Sequence, residues 1–171
     1  PRSTLFPYTT LFRSNIKSMQ DIIQAGAEKV VINTFAVQNQ ELIREGANKF
    51  GSQCIVVSID AFKHENGNYE VYINSGSKPT GINPVEWAKR VENLGAGEIL
   101  INSILHDGAM NGFDLNLIKS ITRAVNIPVI AAGGAGKIED FPPVVLEGGA
   151  SAVAAASIYH YTKYTPNMVK G

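Results

Sequence analysis

Five short apolar runs punctuate the chain: KVVINT (29–34), CIVVSID (54–60), EILINSI (98–104), PVIAAGG (128–134) and SAVAAAS (151–157). Each is continuous rather than alternating, the pattern of strands covered on both faces in a parallel sheet. Each closes on a polar residue or a glycine: Asn33, Asp60, Asn102, Gly133 and Ser157. Between them the apolar spacing turns helical, as in PVEWAKRVENLGA (84–96) and FDLNLIKSITRAV (113–125). In the first, Asn83 suits an N-cap with Pro84 at the opening helical position. In the second, Leu115, Ile118, Ile121 and Val125 mark one face, and Asp114 suits the cap. Three helices end in similar punctuation, AGAEK, LGAGE and GGASA, where glycine fits the left-handed conformation before the next strand.

Strand, helix, strand is the βαβ rhythm, with right-handed crossovers. The pattern predicts an α/β fold and leaves two architectures, an open doubly wound sheet or a (β/α)8 barrel. Small residues at strand ends and the loop GGAGK (133–137) just after a strand favour the barrel. A complete barrel takes roughly 200 residues at the least. The expectation is therefore a partial (β/α)8 TIM barrel of about five of eight βα units. One connection is longer than the rest. Past Asp60, Asn66-Gly67 fits a tight turn and Tyr69–Ile73 alternates like a half-exposed strand. That predicts a β-hairpin excursion after the strand ending at Asp60, over the face that carries active sites in barrels.

Composition narrows the partners. Lys+Arg and Asp+Glu each number 15, so net charge is zero, and nothing electrostatic predicts nucleic acid or an anionic membrane as partner. The single cysteine, Cys54, excludes an internal disulfide, and with no long apolar segment the chain reads as a reduced, cytoplasmic protein. The three histidines lack ligand spacing to Cys54 or to each other, so no metal and no cofactor is expected.

Asp60 is the sharpest chemical candidate. A carboxylate ending IVVSI is costly to bury unless paired or functional, and a barrel mouth is where acid–base groups stand. A loop aspartate capping nearby backbone is the plainer alternative. GGAGK follows a strand and precedes a helix, so its glycines let backbone amides approach an anion; a tight turn with no ligand fits equally. Ser157, ending the next run, strengthens the phosphate reading. In HDGAMNGFD (106–114), Asp107 suits a sugar hydroxyl and Gly108 offers a backbone N–H, though the segment is also a well-made turn. Tyr159, His160 and Tyr161 receive no role.

With these motifs in place, residues 15–171 resemble the cyclase subunits of imidazole glycerol phosphate synthases. The carrying segments are GAEKVVINT, FGSQCIVVSID, LGAGEILINSI, HDGAMNGFD, IPVIAAGGAGK and ASAVAAASIYHY. The related phosphoribosyl isomerase barrels are less similar around HDGAMNGFD. The resemblance implies a barrel that receives ammonia from a glutaminase partner. It would join that ammonia to a phosphoribulosyl formimino-aminoimidazole carboxamide ribonucleotide, giving imidazole glycerol phosphate and an aminoimidazole carboxamide ribotide for histidine synthesis. On this likeness Asp60 is one of two catalytic aspartates. Asn33, Thr34, Asp107, Gly108, Gly134, Ala156 and Ser157 fall on substrate and phosphate contacts, and the strand-end residues Asn102 and Gly133 join that set. Lys29 and Glu98 fall on a charged gate at the opposite face, where ammonia enters; both also suit plain surface charges.

Leu105, Ala109 and Ala132 depart from the family pattern, the last removing a polar substrate contact. KHENGNYEVY and GINPVEWAK also resemble a paralogous branch that supports amidino modification of bacterial surface sugars. The family's first three strands, with the other aspartate, find no counterpart, so a non-catalytic phosphate-binding fragment is a further reading. RSTLFPYTTLFRS (2–14) looks like translated short-read sequencing adaptor. Residues 1–14 are accordingly expected to be a non-native leader and 15–171 the partial barrel.

Overall fold

The computed structural model describes residues 15–170; the adaptor reading of the leader lies outside the described residues. Seven strands follow in chain order: β1 (Val30–Ile32), β2 (Ile55–Lys63), β3 (Tyr69–Ile73), β4 (Lys78–Pro79), β5 (Glu98–Ser103), β6 (Val129–Ala132) and β7 (Ala152–Val153). They form one sheet along the path β4-β3-β2-β5-β6-β7, with β1 pairing β2. β1, β2, β5, β6 and β7 are parallel neighbours in sequence order, the arrangement of successive barrel units. The excursion is antiparallel and has a third strand, since β3 pairs both β2 and β4.

Helices fill the connections. They are α1 (Ile16–Gln24), α2 (Thr34–Gln38), α3 (Glu41–Phe50), α4 (Pro84–Asn93), α5 (Leu115–Thr122), α6 (Phe141–Leu146), α7 (Ser157–Tyr161) and α8 (Pro166–Lys170). Their starts follow capping chemistry. Asn15 accepts from the Ser18 amide, Asn83 from Val85 and Glu86, and Asp114 from Leu117. Glycines with positive φ follow α1, α4 and α6, as the punctuation predicts.

Two expectations are corrected. The strand carrying Asp60 does not end there but continues to Lys63, because β3 supplies partners for Asp60, Ala61, Phe62 and Lys63. The runs are also not covered on both faces. Val30, Ile32, Ile55, Val57, Ile59, Ile99, Ile101, Val129 and Ala131 are buried and share the face packed by Ile43, Trp87, Leu117, Ile121 and Val144 of the helices. The intervening Val31, Ser58, Asp60, Leu100, Asn102, Ile130 and Ala132 are only half-buried, whereas Val56, near the start of β2 on the same side, is buried. Helices clothe one face, and the parallel strands do not close into a ring among the described residues. The second face is thus an open trough. Each large aliphatic side chain on the covered face contributes about 1.5–3 kcal/mol on burial, which fixes which face Asp60 and Asn102 must take.

Candidate functional site

The register of three strands assembles the trough's polar centre. Ser58 and Asp60 alternate with Val57, Ile59 and Ala61, so burial of the latter turns the former toward the trough. β5 sets Asn102 directly opposite Asp60. β1 ends at Ile32 opposite Val57, and the chain then turns into α2 through Asn33. As a result Asn33 Nδ2 donates to Asp60 Oδ2 at 2.8 Å and Asn102 Nδ2 donates to Asp60 Oδ1 at 3.2 Å. Asn33 Nδ2 also lies 3.4 Å from Ser58 Oγ. Each carboxylate oxygen is held by one amide, which fixes the plane of the group.

Farther along the trough the loop after β6 closes in. Gly133 and Gly134 have φ of +80° and +127°. A Cβ on Gly133 would lie 2.5 Å from Asn102 Oδ1, and one on Gly134 would lie 2.2 Å from the Gly112 carbonyl. Glycine is required at both by conformation and by space. Among the described residues, no acceptor takes the amides of Gly133, Gly134, Ala135, Ala156 or Ser157. A cleft of about 250 Å³ is lined by Ser58, Asp60, Asn102, Asp107 and Gly108 together with Gly133, Gly134, Ala156 and Ser157. Amides without an acceptor in residues that line an open cleft are suited to an anion.

Nearly all the residues singled out in the sequence therefore meet at one end of the parallel strands. Three differ in what they do. Asn33 and Asn102, expected as substrate contacts, each donate one amide hydrogen to Asp60, and Asn102 also lines the cleft. Thr34 does not line the cleft; its Oγ1 accepts from the Asn74 amide at 2.9 Å, pinning the β3–β4 turn. Lys29 and Glu98 form an ion pair at the other ends of the strands, with side chains 32% and 19% exposed. No cluster of three His, Cys, Asp or Glu side chains able to hold a metal occurs among the described residues. No helix among them is long and apolar enough to cross a membrane.

Three supporting contacts escape the sequence. Tyr69 Oη on β3 donates to the Asp114 carboxylate, 2.9 Å from each oxygen, and so ties the excursion to the start of α5. Burial first, then the Asp114 carboxylate, pushes the Tyr69 phenol above its ordinary range. Glu70 joins the excursion's two sides through the Gly81 amide and His64 Nε2. The Gly81 hydrogen bond is the largest influence holding the Glu70 carboxyl below its usual value. His106 Nδ1 lies 2.6 Å from the Gly112 carbonyl. Only the polar identity of these residues is visible in sequence, because each partner is set by folding.

Residues 14–165 match a protein family described as "Histidine biosynthesis protein". The chain is also similar to a protein of Natranaerobius thermophilus named imidazole glycerol phosphate synthase subunit HisF, with 49% identity over 172 residues. That likeness covers 99% of this chain and 67% of the relative.

Proposed function

Because the chain belongs to the histidine biosynthesis protein family, we propose that its trough carries the cyclase chemistry of imidazole glycerol phosphate synthase. In that reading ammonia is joined to a phosphoribulosyl formimino-aminoimidazole carboxamide ribonucleotide, yielding imidazole glycerol phosphate and aminoimidazole carboxamide ribotide. The observation that carries it is the Asp60 carboxylate, oriented by Asn33 and Asn102, in the same cleft as the unpaired amides of the Gly133–Ala135 loop. Asp60 moves protons while carbon–nitrogen bonds form and break. The amides of Gly134 and Ser157, with Asp107 and Gly108 in the same cleft, hold a phosphate and the sugar beside it. Gly133 and Ala156 leave room for that backbone approach. Thr34 contributes by fixing the turn at Asn74.

The Lys29–Glu98 pair lies where the strands begin, away from the cleft. A glutaminase subunit docked on that side would deliver ammonia past the pair and along the strands to Asp60. The histidine route is preferred over surface-sugar amidination because the matching family is described as a histidine biosynthesis protein and the similar Natranaerobius protein is named for imidazole glycerol phosphate synthase. One observation favours a second reading, a phosphate-binding chain without turnover: among the described residues the strands leave the trough open, and of its two cleft carboxylates, Asp60 and Asp107, Asp60 is the one held by side-chain amides.

The test uses the chain with ammonium as nitrogen donor. Asp60→Asn should keep substrate affinity within about threefold while turnover falls by about 100-fold or more, the range for a general acid–base group. Unchanged turnover would remove Asp60 from the chemistry. Substrate binding with no turnover in the unaltered chain would establish the second reading.

A further inference from the structure

We infer that His106 is a positioning residue, whose ring clasps the loop after β5 and thereby sets Asp107 and Gly108 against the glycine loop after β6. The inference rests on the phosphate reading above only for its consequence, not for its geometry. The Gly112 carbonyl can only accept, so at 2.6 Å the Nδ1 of His106 is the protonated nitrogen and donates. This bond closes the segment 106–112 across its mouth. Gly112 is gripped a second time, since its own amide donates to the Gly134 carbonyl at 2.9 Å. Space around these bonds is already exhausted: a Cβ on Gly134 would meet the Gly112 carbonyl, and one on Gly136 would lie 2.1 Å from the Met110 carbonyl.

The closed segment also holds unfavourable backbone. Met110 adopts φ +54°, a left-handed conformation that costs a non-glycine residue roughly 1–2 kcal/mol. Such a conformation persists where surrounding contacts over-determine it. The His106 ring spans the segment by its hydrogen bond to the Gly112 carbonyl. Asp107 and Gly108 follow His106 directly and line the cleft, and the Asp107 Cα lies 3.4 Å from where a Cβ on Gly133 would stand. Releasing the clasp would let the loop bearing Asp107 drift from the loop bearing Gly133 and Gly134. His106 itself is not among the residues lining the cleft, so it acts through the loop.

Two substitutions separate the hydrogen bond from the ring's bulk. His106→Phe keeps a ring and removes the donor. His106→Asn places Nδ2 at the same remove from the backbone as the imidazole Nδ1, restoring the donor with less bulk. Amide exchange of Gly112 and titration with inorganic phosphate are followed by NMR, with Trp87 emission reporting folding. In the Phe variant the Gly112 amide should exchange about tenfold faster and phosphate should bind about tenfold more weakly, as expected for one lost hydrogen bond of about 1.4 kcal/mol. The Asn variant should restore both to within about threefold. Gly112 exchange unchanged in the Phe variant, or not restored by Asn, would overturn the clasp. An unaltered chain that takes no phosphate but shows the exchange pattern would sink the phosphate reading and leave the clasp standing.

Discussion

Tyr69→Phe deletes one oxygen and leaves Asp114, only 7% exposed, without its hydroxyl donor. The carboxylate keeps the Leu117 amide at 3.1 Å, so the α5 cap survives and only the tie to β3 is lost. A hydrogen bond to a charged group is worth about 1.5–3 kcal/mol. With a urea dependence of about 1–3 kcal/mol per molar, the unfolding midpoint should fall by about 1 M. Trp87 is the sole tryptophan and fully buried on α4, so its emission reports the transition. The pH dependence supplies a second arm. The folded phenol titrates above the unfolded value of about 10, so its contribution is complete below pH 10. Above that the unfolded chain releases a proton the native state retains, and stability falls by up to about 1.4 kcal/mol per pH unit. Tyr159 is raised by burial too, so Tyr69→Phe should reduce the alkaline decline rather than abolish it. A midpoint shift below about 0.2 M, or an alkaline decline as steep as before, would refute the tie between the excursion and α5.

Gly133→Ala would press a methyl group against Asn102 Oδ1 and strain a backbone at φ +80°. Urea titration should show a loss of about 1–2 kcal/mol, and NMR should show the Asn102 side-chain amide displaced from Asp60. Glu70 titrates below the unfolded carboxylate value of about 4.3, so its contribution is present above that pH and is lost as pH falls through the lower folded value. Glu70→Gln should therefore lower the melting temperature at neutral pH and flatten its fall between about pH 5 and 3. Lys29→Met should cost no more than about 1 kcal/mol, because the pair is partly solvated. With a glutaminase subunit present, it should depress glutamine-supported turnover more than ammonium-supported turnover.

The strands were legible because their apolar runs are compact and their ends carry polar residues or glycine. Asn33, Asp60, Asn102, Gly133 and Ser157 could be placed near one rim on that basis, and the cleft gathers all but Asn33, which reaches it through Asp60. The one-sided burial was not legible, since a run such as VVI reads alike whether one face or both are covered. Nor was the length of β2, because Ala61, Phe62 and Lys63 join it only through pairing with β3. Partners 45 residues apart, such as Tyr69 and Asp114, leave no local signature. The amide grip on Asp60 depends on a register between strands that composition does not encode.

β2 has different companions along one of its edges: β1 over Ile55–Val57, then β3 from Asp60 onward. The changeover falls immediately before Asp60. The proximal half of that strand belongs to the scaffold common to every unit, whereas the distal half is braced by an ornament encoded a few residues later. Residues 64–82 can therefore be varied to retune the surroundings of Asp60 while the parallel frame stays as it was, provided that Tyr69 keeps its tie to Asp114 and Val71 its place in the core.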